Sequence, residues 1–151
     1  MTQLFNSTFE LSLRVLLTLS IQEKSEQTID ELATGDFITT YNKTFGLSPS
    51  NLHGDNELSF TEFALRRHLI SKATFQLVRE GLLEVVQSPN GFKYSISSEG
   101  VSYIQRIQSN YARDYRLAAQ RAQNYMKTKS EAELLNLISQ EASNVLKRRT
   151  Q

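Results

Sequence analysis

Residues 79–100 read REGLLEVVQSPNGFKYSISSEG. The apolar period changes inside this stretch. Before Gly81 apolar side chains recur every three or four positions, whereas Leu83 and Val85, then Phe92, Tyr94 and Ile96, alternate with polar ones. A period near two places alternate side chains on one face of a strand. Between the two runs sits Ser88-Pro89-Asn90-Gly91, a tetrapeptide of turn formers. The pattern predicts a β-hairpin. Gly81 suits the end of the preceding helix, where a positive φ is often needed. After the hairpin, Ser97 or Ser98 can cap another helix.

Upstream, three S/T-x-x-E boxes mark helix starts: Ser7 with Glu10, Thr28 with Glu31, and Ser59 with Glu62. The first helix carries Phe9, Leu13, Leu16, Leu17 and Ile21, widened by Leu11, Val15 and Leu19, so it should be buried on most sides. The second carries Ile29, Leu32, Phe37, Ile38 and Tyr41, with Gly35 weakening its middle. Residues 42–58 are rich in Asn, Gly, Pro and Asp and read as a loop, long enough to suggest a role. Residues 61–82 read as one helix or as two meeting near Ile70–Ser71.

Downstream, Ile104, Ile107, Tyr111, Tyr115, Ala118, Ala122 and Tyr125 recur at three- and four-residue steps. They predict one long helix from Ser98 to about Met126, about 43 Å if unbroken. A last helix starts at Ser130 with Glu133 three residues on, and ends in Lys147-Arg148-Arg149.

Helix, helix, helix, hairpin, helix is the order of a winged helix-turn-helix domain. The expected fold is mainly α: a winged-helix core over residues 1–97, with an inserted loop at 42–58, and a helical extension over 98–151 made of the long helix and the final one. Within the core, Val85, Tyr94 and Ile96 are expected to pack the hairpin on the third helix.

The net charge is only +1, but it is segregated. Residues 1–60 sum to −5, residues 61–105 to +1 and residues 106–151 to +5. An acidic front and a basic back suit two surfaces and two partners. Candidate phosphate contacts on the third helix and wing are Arg66, Arg67, Lys72, Arg79 and Lys93, with Glu62, Glu80 and Glu84 opposing them. The long helix adds Arg113, Arg116 and Arg121, interleaved with tyrosines. Such residues hold phosphates without reading sequence. Candidate partner contacts are Asn51, Leu52 and His53 in the loop, and Tyr111 and Tyr115 on the long helix.

Much chemistry is excluded. There is no cysteine, hence no thiol catalysis and no Cys-ligated zinc. There is no G-x-x-x-x-G-K-S/T loop for ATP and no G-x-G-x-x-G after a strand. His53 and His68 are the only histidines, so neither a metal nor another cofactor is expected. A hydrolase would need a pocket joining one of them to a serine and a carboxylate, and nothing local suggests one. No apolar run approaches the roughly 18 residues of a membrane span, and the N-terminus lacks the features of a signal peptide. The expected location is the cytoplasm, with no membrane partner.

A set of landmarks then points to a family: Glu10 with Leu13-Arg14-Val15, Asp36, Leu52-His53, Arg66-Arg67 with Ile70, Gly81-Leu82, and Tyr94. With these, the stretch from Glu10 to Met126 resembles the middle component of bacterial ABC-three-component systems, and in particular the small winged-helix subunit of Lamassu anti-phage and anti-plasmid complexes. The resemblance implies a non-enzymatic adaptor. It implies two partners, a structural-maintenance-of-chromosomes (SMC)-like, Rad-type coiled-coil ATPase dimer and a nuclease-type effector, and double-stranded DNA engaged through the complex. The ATP sites and the cutting site would lie in those partners. From another class, the residues also allow a free-standing winged-helix transcription regulator, which would bind DNA as a dimer.

Overall fold

Ser7 opens the first helix, α1 (Thr8–Leu19), by accepting the backbone N–H of Glu10. The computed structural model describes residues 7–53 and 63–150, with side chains up to 140. Thr28 and Glu31 form a reciprocal capping box at α2 (Ile29–Thr40). Then follow α3 (Phe63–Arg79), β1 (Leu83–Ser88), β2 (Gly91–Ile96), α4 (Ser98–Gln105), α5 (Asn110–Lys127) and α6 (Glu131–Thr150). The molecule is mainly helical with a small antiparallel hairpin, and the expected order of elements is present. Residues 63–79 form one helix, not two. The Ser59–Glu62 box lies outside the described residues.

α3 ends at Gly81, whose φ is +80°. The N–H of Leu82 returns to the carbonyl of Leu77 and that of Gly81 to Val78, a Schellman closure. The chain turns directly into β1. Strands β1 and β2 pair from Leu83↔Ile96 to Ser88↔Gly91, so Pro89-Asn90 is the turn. Gln27 adds a single bridge to the far edge of β2, exchanging both backbone hydrogen bonds with Tyr94 at 3.0 and 2.8 Å. Ser97 is the cap of α4: it accepts the N–H of Gly100 and donates to the carbonyl of Gly81 at 2.6 Å.

Two expectations are corrected here. The long helix is broken: α4 closes at Arg106, and Ser109 restarts the chain by accepting the N–H of Ala112. A continuous apolar period hid the strong Ser109 cap, and the break lets Ile107 pack on the main core. Val85 is not part of the core. It is 47% exposed, while its partner Tyr94 is buried, because at that rung the core, with Gln27 bridged to Tyr94, lies on the β2 side of the hairpin; Leu83 is buried and Ile96 half-buried at its base.

The main core is built on α1. From Leu11 to Leu19 every residue except Ser12 is buried, as its wide apolar stripe requires. Leu32, Ala33, Ile70, Ala73, Leu77, Leu83, Tyr94 and Ile104 join it, and α5 adds Ala112, Tyr115 and Ala119. Each fully buried large apolar side chain contributes about 1.5–3 kcal/mol. α6 docks through Leu134, which packs with Ile38 and Ala122, and through Ile138, which packs with Phe37 and Tyr41.

The described part of the loop, 42–53, is tied down. The Asn51 carboxamide oxygen accepts the N–H groups of Lys43 and Thr44, and the N–H of Leu52 bonds to the carbonyl of Thr40. Phe45 packs on both α6 contacts.

Candidate functional site

Four helices each send one polar side chain to a single buried point. Asp36 of α2 is 3% exposed. Arg14 of α1 clamps it with two parallel bonds, Nε to Oδ1 at 2.8 Å and Nη2 to Oδ2 at 2.6 Å. Tyr115 of α5 donates its hydroxyl to Oδ1 at 2.7 Å. Arg66 of α3 lies 3.4 Å from Oδ2 and donates to the Thr40 hydroxyl at 2.7 Å. Its guanidinium also covers the rings of Phe37 and Tyr41, 5.6 Å from each.

Burial alone would raise the Asp36 carboxyl. The charges of Arg14 and Arg66, with the hydrogen bonds from Arg14 and Tyr115, outweigh it and hold the group below its usual range. Burial, reinforced by the carboxylate, lifts Tyr115 well above a normal tyrosine. Asp36 is therefore ionised with its lone pairs committed. That makes it a clamp for helices rather than a base for catalysis.

Beside this cluster the loop delivers His53, which stacks on Tyr111 with Nε2 2.7 Å from the tyrosine hydroxyl. Burial, and then the positive charge of Arg14, pushes His53 down to about 3. Burial pushes Tyr111 up to about 12. Both are neutral near pH 7.

The structure thus redistributes the expected site residues. Arg66 is 4% exposed and faces the core, so it does not reach a phosphate outside. Tyr115 is 0% exposed and offers no surface to a partner. Asn51 closes its own loop, Leu52 packs on the main core, and His53 and Tyr111 are half-buried against each other. Arg67 is on the surface and pairs with Asp30. Lys72 and Arg79 lie on the outward face of α3, Lys93 is half-buried on β2, and Arg113, Arg116 and Arg121 lie on the outward face of α5. Arg113 and Arg116, one turn apart, line one surface hollow with Leu117 and Gln120.

The reading of residues missed what stands beside Lys72 and Arg79. Leu65 is 57% exposed, Phe75 49% and Phe92 58%. Helical period does not distinguish Leu65 and Phe75 from core residues, because it cannot show how wide a face the neighbours cover. Among the described residues no group of three or more His, Asp or Glu side chains could hold a metal. No helix among them is long and apolar enough to cross a membrane.

A family model described as ABC-three component (ABC-3C) system Middle Component 2 matches residues 4–148. Comparison with curated proteins and with solved structures returns no match.

Proposed function

We propose, from the premise that this chain belongs to the ABC-three component system Middle Component 2 family, that it is a non-enzymatic adaptor with a winged-helix core. In this reading it resembles the small subunit of Lamassu complexes. It bridges the heads of an SMC-like coiled-coil ATPase, holds a nuclease-type effector and helps sense foreign double-stranded DNA. ATP hydrolysis and cutting belong to the partners.

One observation carries the reading. On α3, the helix that would enter a major groove, Arg66 is buried in an ion-pair cluster and the outward face shows Leu65 and Phe75. Bulky apolar groups beside a few cations suit a protein surface better than base edges or phosphates. DNA contact fits the outward arginines of α5 instead.

The test is co-expression with the proteins encoded beside this chain, affinity purification and mass determination. A stoichiometric complex with a coiled-coil ATPase is the expected result. A lone homodimer that shifts a promoter fragment would overturn it in favour of a free-standing regulator.

A further inference from the structure

We infer that the outer edge of β1, together with the face between the hairpin and α3, receives an extended segment of a partner subunit as an added strand. The segment would carry alternate apolar side chains and acidic ones. The inference rests on the adaptor reading and names the surface through which it works.

Tyr94 spends both its N–H and its C=O on Gln27. In an antiparallel ladder, a residue whose backbone groups point away from its partner strand sits in a non-hydrogen-bonded pair. Val85, directly opposite Tyr94, therefore points its own N–H and C=O away from β2, as does Gln87 two residues on. No backbone group among the described residues bonds to them on that side. β1 is an open edge.

The side chains on one side of that edge are mostly apolar, with Gln87 opposite Phe92 the polar member. Val85 and Tyr94 share a face because they are directly paired, and Phe92 lies on the same face two residues from Tyr94. Phe75 of α3 closes the floor, its ring 6.3 Å from that of Tyr94. Phe75, Val85 and Phe92 are each about half exposed. An added strand would bond to Val85 and Gln87 and drop alternate side chains onto this patch, the mode of β-augmentation.

Charge selects the occupant. Lys72 and Arg79 flank Phe75 about one turn to either side on the outward face of α3. Gln76 donates to Glu80 and accepts from Arg79, Glu80 also lines the hollow against α1 on the other side of α3, and Glu84 lies on the opposite face of the hairpin. The rim is cationic and fits an acidic segment. A second copy paired edge to edge would bring two such rims together, which like-charge repulsion disfavours.

The test uses the full chain, its co-encoded subunits and overlapping synthetic peptides that span those subunits. At least one acidic, apolar-alternating peptide is expected to bind in fluorescence anisotropy. Its binding should slow hydrogen exchange at the amides of Val85 and Gln87. Val85→Pro deletes the edge donor without removing a β1–β2 bond, and Phe75→Glu reverses the patch. Each should weaken the peptide at least about tenfold, as loss of a central contact does. The double variant Arg113→Glu/Arg116→Glu should leave the peptide's affinity unchanged.

A complex that forms normally with Val85→Pro, with both amides exchanging as in the free chain, would overturn the inference and leave the adaptor reading standing. Loss with Phe75→Glu alone would replace the strand by a helix in the groove and overturn it too. A concentration-dependent homodimer abolished by Val85→Pro would assign the edge to a second copy instead. No complex with either co-encoded subunit would overturn the adaptor reading and this inference together.

Discussion

Asp36 shows what one residue can organise. Its carboxylate satisfies groups from α1, α3 and α5 at once. Breaking a buried ion pair by removing one partner costs about 3–5 kcal/mol, because it strands a charge away from water. Asp36→Asn is therefore expected to lower stability by about that much in urea unfolding. Tyr115→Phe removes only one hydroxyl and should cost about 1–3 kcal/mol. A change within error for Asp36→Asn would mean that the cluster is not under load. His53 supplies a pH test. It is held neutral down to about 3, against 6.5 in the unfolded chain. Between those values the unfolded state binds more protons, so His53 makes stability fall as pH drops below about 6.5. Asp36 works in the same direction but only below its usual 3.8. Glu99, held below its usual 4.5, begins to act only near the lower end, so a comparison of melting temperatures at pH 7 and pH 5 reports chiefly the histidine. His53→Asn should flatten that slope, and equal slopes in variant and wild type would remove His53 from the account.

Among the elements, the junction of α3, hairpin and α4 has the least slack. Gly81 and Ser97 are bonded across it, and Gly100 in the first turn of α4 lies against the carbonyl oxygen of Leu82 and the side chain of Ile96. A Cβ there would overlap Leu82 backbone, which cannot rotate aside as a flexible side chain could. Gly100→Ala gains helix propensity of about 1 kcal/mol but should still destabilise by about 1–3 kcal/mol through overpacking. Thermal unfolding monitored by circular dichroism would register the loss, and an unchanged or raised melting temperature would show that α4 can shift. The same junction fixes which part of the hairpin is buried. Leu83 and Ile96 are covered at the base and Tyr94 on the β2 side, which leaves Val85 on the outer strand and Phe92 nearer the turn in solvent.

The whole molecule separates its charges. The acidic front contributes Asp36 to the interior, and the basic back presents Arg113, Arg116 and Arg121 on the outward face of α5. If that face holds phosphate, Arg113→Glu/Arg116→Glu should weaken DNA binding by the assembled complex and lower its salt slope by about 2, one per lost contact. Unchanged binding at low salt would detach α5 from DNA. The sequence by itself determined what short-range interactions decide. The caps at Ser7, Thr28 and Ser130, the Gly81 helix end and the Ser88–Gly91 turn each close bonds within about four residues, and all were legible. Only the tertiary structure decided which polar residues are core and which apolar ones are surface. Arg66 is buried because Asp36, 30 positions earlier, waits on another helix; Tyr115 is buried because that same carboxylate takes its proton donor. Phe75, Val85 and Phe92 are exposed because no described element covers them. Such facts depend on partners distant in sequence, where a periodic pattern carries the need for burial but not the address of the neighbour that supplies it.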